Sequence, residues 1–354
     1  MQLPQTRAIL ELRHAVRAWL TAFHPAGSVV VALSGGADSL ALTAAVAAEA
    51  DVVDAVVIDH QLQTGSGEVA HAACEKALAL GAASAQVVQV DVYGPGGMEA
   101  AARRARYDAL DAARMRRPVL LGHTLDDQAE TVLLGLARGS GGRSIQGMCA
   151  WDEPWGRPLL GVRRSVTRQA CIDLGVLAYE DPHNSNPDFT RVRLRSEVLP
   201  LLDEVLGGGV APALARTATQ LREDGAVLDA LADEVLTQAL DAAATTLSGT
   251  AATTLSGTAA TTLSGTAATA GTKSVNIDTL KPAAPPVRRR ALRMWLRSHG
   301  VTALTDKQLR ALDDLVGNWR GQGAVAVGGG SAEARLVVTR EHGRLSLDLD
   351  RGRS

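Results

Sequence analysis

Val29, Val30, Val31, Ala32 and Leu33 run unbroken into Ser34-Gly35-Gly36, and a helix-forming pattern resumes at Ala37-Asp38-Ser39-Leu40. This order predicts a buried strand, a tight loop and a helix N-terminus. Glycines at 35 and 36 admit positive φ and bring bare N–H groups close to a ligand. The hydroxyls of Ser34 and Ser39 stand at the positive end of the helix dipole. Such a cradle suits a polyphosphate. Asp38 fits only if a divalent cation separates its carboxylate from bound phosphates, so the loop predicts Mg²⁺ together with the nucleotide. No Gly-Lys-Ser/Thr and no G-x-G-x-x-G is present, which sets aside the Walker and dinucleotide loops.

Strand and helix signals alternate through the first half of the chain. A helix is expected over 5–22, strands over 52–59, 85–92 and 118–122, and helices over 66–80, 98–116 and 165–175. This alternation predicts an open parallel α/β sheet with right-handed crossovers. Polar residues that close a strand of such a sheet lie where ligands bind, which singles out Asp59 and His60. A strand-end histidine also serves as an ordinary loop residue. The 98–116 helix carries Arg103, Arg104, Arg106, Arg114 and Arg116, a face able to meet phosphates or simply to be solvated. After the 118–122 strand come His123-Thr124-Leu125-Asp126-Asp127-Gln128-Ala129-Glu130. Asp127 and Glu130 stand i,i+3 and share a helix face, so two carboxylates and a histidine converge at one strand end. Acids at a helix start also act as caps. Arg138-Gly139-Ser140-Gly141-Gly142-Arg143 reads as a mobile loop approaching phosphate. Arg191, Arg193 and Arg195 would face one way on a strand and spread over a sector on a helix.

Pro200 and Gly207-Gly208-Gly209 mark a boundary, giving a first domain over 1–207 and a mainly helical one over 208–354. Residues 244–267 repeat one eight-residue unit three times. With one leucine per copy among Gly, Ser and Thr, this tract buries no core and reads as a disordered insertion at 244–270. Arg288, Arg289, Arg290, Arg293 and Arg297 mark the most basic helix of this half, followed by a helix over 304–319. Short strands close the chain at 325–327, 334–339 and 345–349.

The formal net charge is -2, so a nucleic-acid partner must be met by local basic clusters rather than by global charge. Cys74, Cys149 and Cys171 form no Cys-x-x-Cys pair, which argues against zinc, an iron–sulfur cluster or a disulfide framework. No run approaches the length of a membrane span. A soluble, cytoplasmic protein without a membrane partner is expected.

Ser-Gly-Gly-x-Asp-Ser after a first strand resembles the PP-loop ATP pyrophosphatases. Within that group the chain is similar to the tRNA(Ile)-lysidine synthetases. The likeness rests on residues 33–39, Asp59-His60, the Ala102-Arg103…Arg106-Tyr107 pattern, and residues 122–131, 138–147 and 181–195. It departs at Thr124, at Pro182-His183 and in the repeat insertion, and the second domain matches only in helical character.

The resemblance implies an open parallel sheet of that type and a carbon–nitrogen ligase. In the implied reaction, cytidine at the first anticodon position of an isoleucine tRNA with a CAU anticodon is adenylated on its C2 oxygen by ATP with Mg²⁺. Free L-lysine then displaces AMP at C2. The implied ATP residues are Ser34, Gly35, Gly36, Asp38, Ser39, Asp59 and His60, with Asp38 holding the metal and Asp38 and Asp127 catalytic. Lysine is implied near His123, Asp127, Glu130 and Arg193, the carboxylates taking its ammonium and the arginine its carboxylate. For tRNA the expected residues are Arg103, Arg106, Arg191, Arg195, Arg288, Arg289 and Arg290. The runner-up is a tRNA-modifying thiolase of the same group, against which the cysteine pattern counts. A non-catalytic nucleotide-binding module would need less chemistry than Asp38 and the 123–130 cluster supply.

Overall fold

The computed structural model describes residues 3–24, 27–63, 65–95, 97–139, 141–181, 186–252, 273–330 and 335–350, with backbone alone at 245–252, 329 and 330. The chain forms two compact units, Met1–Leu221 and Arg222–Ser354.

The first unit begins with α1 (Arg7–Phe23), β1 (Ser28–Leu33), α2 (Ala37–Glu49), β2 (Val52–Asp59), α3 (Ser66–Ala79) and β3 (Ser84–Gln89). It continues with α4 (Met98–Ala113), β4 (Val119–Leu120), α5 (Leu125–Arg138), β5 (Trp151–Asp152), β6 (Trp155–Gly156) and α6 (Arg164–Asp173). The sheet order is β3-β2-β1-β4-β6-β5, all parallel except β5, which pairs antiparallel with β6. The predicted alternation is therefore realised, and the 151–156 hairpin extends the sheet by two short strands that the sequence pattern did not mark.

Period-two alternation assigns the two faces of β1. Val29, Val31 and Leu33 join α1, α2, α3 and α6 in one buried cluster, while Val30 packs with Leu110 of α4 and with Val119 on the other side. In α1, Ile9, Leu12, Val16 and Leu20 recur at helical spacing and are buried. Burial of side chains this size contributes about 1.5–3 kcal/mol each, which holds the helix against the sheet. A smaller cluster of Ala129, Leu199 and Ala211 fixes α5.

Beyond α6, α7 (Thr190–Arg193) passes through a π-helical stretch, Leu194–Val198, into α8 (Leu199–Leu206). The arginine-rich segment is thus helix, not strand. In the 138–143 segment two turns flank residue 140, which lies outside the described residues. Gly139 caps α5 in the left-handed region, and Gly142–Ile145 forms a 3₁₀ turn in which the Ser144 hydroxyl donates to the carbonyls of Gly135 and Gly141.

Helix α9 (Val210–Ala252) runs through residues 244–252, so the reading of the repeat tract as disordered fails over that part. Alanine and leucine extend a helix already nucleated by the preceding turns. Residues 253–270 of the insertion, and 182–185 within the 181–195 motif, lie outside the described residues.

The second unit contains β7 (Ser274–Asn276), α10 (Ile277–Leu280), α11 (Pro285–Ser298), α12 (Asp306–Gly317), β8 (Val325–Gly330), β9 (Arg335–Glu341) and β10 (Arg344–Asp350). Its strands form an antiparallel sheet in the order β7-β10-β9-β8. Trp295, Leu292 and Leu296 of α11 pack with Leu312 and Leu315 of α12 and with Val338 and Leu345 of the sheet.

Candidate active site

The loop after β1 has the predicted form. Gly35 takes φ 78°, and α2 starts one residue after Gly36. The Ser34 and Ser39 hydroxyls lie 3.1 Å apart, and Ser39 Oγ donates to the Gly36 carbonyl at 3.0 Å. The end of β4 crosses directly behind this loop. A Cβ at Gly122 would stand 3.1 Å from the Asp38 carbonyl group and the Ser39 nitrogen, so a side chain there would push the loop out of place.

Asp38 is half-buried. It accepts from the Thr167 hydroxyl and from Arg164 Nε at 3.4 Å. Arg164 is the hub of the site. Its Nη2 donates to Asp127 Oδ1 at 2.5 Å, and its Nη1 lies 3.4 Å from Glu130 Oε1. Asp127 Oδ2 accepts from both the N–H (2.8 Å) and the hydroxyl (2.7 Å) of Thr124, which closes the first turn of α5. Glu130 has no exposed surface and is met by Arg195 Nε at 2.8 Å and Arg191 Nη1 at 3.7 Å. Asp126 turns the other way, accepting the Arg164 N–H at 2.8 Å and so capping α6.

Electrostatics follow from this packing. Burial pushes the Asp38 carboxyl up, against the Thr167 hydroxyl and Arg164, with neighbouring Asp127 pushing the same way. Burial acts likewise on Asp127, but Arg164 and Thr124 outweigh it, and that carboxyl lies below its usual range. Burial lowers His123 to about 4, opposed by Asp127 and aided by Arg157, Arg106 and Arg103, so it is neutral at physiological pH. Burial and Arg106 lower His60, which Asp59 partly offsets. The Nδ1 atoms of His60 and His123 are buried without a hydrogen-bond partner.

Several expected residues are brought together: Ser34, Gly35, Gly36, Asp38 and Ser39 in the loop, His123, Asp127 and Glu130 at β4 and α5, and Asp59 and His60 at the end of β2. Arg103 and Arg106 flank Tyr107, their guanidinium carbons 4.9 and 5.4 Å from its ring centre. Tyr107 in turn packs edge-on against Trp155 at 4.5 Å.

Arg193 is not brought to the carboxylates. It pairs with Glu197 at 2.9 Å, and its side chain is 61% exposed. On a helix, residues four apart share a face and residues two apart do not. Arg191 and Arg195, expected on tRNA, therefore turn inward to Glu130, and Arg193 turns outward. Arg288, expected on tRNA, is also placed elsewhere. It is buried, donating to Asp313 at 2.6 Å and to the carbonyls of Lys281 and Ala283, so a phosphate cannot reach it. Arg289 and Arg290 are more open, pairing with Asp313 at 3.4 Å and Asp229 at 2.8 Å.

Sequence reasoning passed over Arg164, Thr167 and Arg157. One signal was present. Two arginines open α6, where the helix dipole disfavours cations, and such a placement needs acidic partners nearby.

A PP-loop domain family matches residues 6–202, and a TilS substrate binding domain family matches residues 276–346. A tRNA(Ile)-lysidine synthase of Rhodococcus erythropolis is 61% identical over 350 residues, covering 99% of this chain and 98% of the relative. The chain belongs to the tRNA(Ile)-lysidine synthase family. A member bearing the same name from Mycobacterium tuberculosis is 55% identical over 90% of each chain. Among solved structures, a U34-tRNA thiolase of Methanococcus maripaludis aligns with a TM-score of 0.50 at 17% identity, over 61% of this chain and 80% of that one. At that identity the likeness concerns the fold alone. Membership in a PP-loop family implies that the chain uses ATP. Among the described residues no single helix is long and apolar enough to cross a membrane.

Proposed function

We propose that this family member joins free L-lysine to C2 of cytidine at the first anticodon position of an isoleucine tRNA with a CAU anticodon, through an adenylated tRNA. The observation that carries this reading is Arg164. It ties Asp38 of the phosphate loop to Asp127 and Glu130 of α5, so the groups for activation and for amine attack share one cluster. A C2 carbonyl delocalised into the cytosine ring is a poor electrophile, and adenylation supplies the leaving group. The pyrophosphate departs toward residues 34–39, and Ser34, Gly35, Gly36 and Ser39 hold phosphate oxygens.

Mg²⁺ fits the donor set. Asp38 is a hard oxygen donor whose carboxyl is pushed up chiefly by burial, with Asp127 adding to the same effect. Bound there with the phosphates, the ion would neutralise developing charge. The ionised Asp127 and the buried Glu130 suit lysine's α-ammonium. Its ε-amine must arrive neutral, and the uncharged His123 adds no repulsion.

Arg103, Arg106, Arg289 and Arg290 serve tRNA phosphates, and the protein works in the cytoplasm. The thiolase reading is weaker. Cys74 and Cys171 are buried, which pushes both thiols up, Cys171 to about 11, away from the thiolate that sulfur delivery needs, and leaves the exposed Cys149 without a second accessible cysteine.

Incubation with [α-³²P]ATP, [¹⁴C]lysine and CAU isoleucine tRNA tests the reading. Both labels should pass through tRNA, AMP transiently and lysine stably. Release of ADP and phosphate, or tRNA that acquires no ¹⁴C, overturns it.

A further inference from the structure

Arg157 follows β6 at the carboxyl edge of the sheet and is only 7% exposed. Its Nη1 donates to the Cys149 carbonyl at 3.1 Å, and its Nε is buried without a partner. Among the described residues no carboxylate pairs with it. Arg164, Arg191 and Arg195 are each engaged with Asp127 or Glu130, and Arg193 is turned outward onto Glu197. Arg157 is thus an inward arginine of this edge without an anion; Arg106 on α4, whose Nε is likewise buried without a partner, is another among the described residues. A buried charge is normally paired, because desolvation is otherwise uncompensated. The free side of its planar fork suits a carboxylate or phosphate bound through two nitrogens.

Its position narrows the choice. Leu120 of β4 registers with Gly156 of β6, and Leu121 N–H donates to the Gly156 carbonyl at 2.8 Å. Arg157 therefore emerges beside the end of β4, which continues into His123 and then Asp127. Asp127 and Arg157 both act on the His123 ring, with opposite sign. Arg106 and Arg103 act on the ring in the same direction as Arg157, and the Nδ1 of this neutral imidazole is itself unpartnered. That arrangement matches a zwitterion entering beside the ring.

We infer that Arg157 binds the α-carboxylate of the amino-acid substrate, the role that the family resemblance implied for Arg193. The inference rests on the lysine reading above and adds the residue that distinguishes an amino acid from a simple diamine. The depth of Arg157 favours a small free carboxylate over a phosphodiester of a folded tRNA. His123 Nδ1 supplies a second polar atom to the same group.

The test compares L-lysine with 1,5-diaminopentane, which keeps both amines and lacks only the carboxylate. In Arg157→Gln, adenylated tRNA should accumulate at nearly the parental rate. The KM for lysine should rise roughly ten- to hundredfold, the range for losing a charge-assisted bond. The inhibition constant of diaminopentane should stay unchanged, since the lost partner never touched it. Arg157→Lys should recover part of the lysine affinity, and it carries the same comparison if the glutamine variant does not fold.

Equal weakening toward both amines would show that Arg157 only supports the fold. Loss of adenylation with lysine KM unchanged would assign the site to a phosphate group. Either result overturns the inference while lysidine formation by the parent protein stands. Parent protein that adenylates tRNA but transfers no lysine refutes the lysine reading itself.

Discussion

Glu130 and Arg195 stand 65 positions apart in the chain and meet at 2.8 Å, with Glu130 wholly buried. Through Arg164 the same carboxylate reaches α6, so one side chain ties α5 to two other helical segments. Removing one member of a buried pair leaves its partners uncompensated, at about 3–5 kcal/mol. Arg195 keeps a side chain 34% exposed, which lets water recover part of that loss. Glu130→Gln should therefore destabilise the first unit by about 2–4 kcal/mol in urea unfolding. A midpoint equal to the parent's would show that the arginines do not depend on this carboxylate.

Asp38→Asn should stop Mg²⁺-dependent pyrophosphate release, by roughly a hundredfold or more, as expected when a group stabilising transition-state charge is lost. The amide can still accept from Thr167, so melting temperature and circular dichroism should stay close to the parent's. Persistent pyrophosphate release would place the metal on another residue.

His123 carries a pH signature. Its folded-state pKa of about 4 lies below the ordinary 6.5, so below pH 6.5 the unfolded chain takes up a proton that the folded site refuses. Stability should fall as pH drops from about 6.5 toward 4, by on the order of 3 kcal/mol at full effect. Above pH 6.5 the group contributes no slope. Measured denaturant midpoints across that window should flatten in His123→Gln, and a slope identical in both proteins would show that His123 titrates normally.

Arg288 and its neighbours should separate stability from binding. Arg288→Ala leaves Asp313 buried with only the longer Arg289 pairing, and should lower the melting temperature of the second unit. Arg289→Ala with Arg290→Ala should weaken tRNA binding instead, with the log–log salt slope smaller by about 0.9 for each duplex phosphate no longer neutralised. Unchanged affinity and slope in the double variant would move the docking face to the Arg103–Arg106 side of α4.

The sequence alone determined the elements whose signal is local. Residues 29–42 announce a strand, a glycine turn and a helix because apolar period and backbone freedom are written residue by residue. The His123–Glu130 run announces two carboxylates on one helix face for the same reason. What only the tertiary structure decided is which charges meet. Whether Arg191, Arg193 and Arg195 face together depends on helix or strand geometry, and whether Arg288 is free depends on Asp313 lying 25 positions on. Arg164 became the hub because α6 packs against α2, bringing it to Asp38 across 126 residues. Burial, which sets both the cost of an unpaired cation at Arg157 and the neutrality of His123, is a property of everything packed around a residue, and no local stretch of sequence contains it.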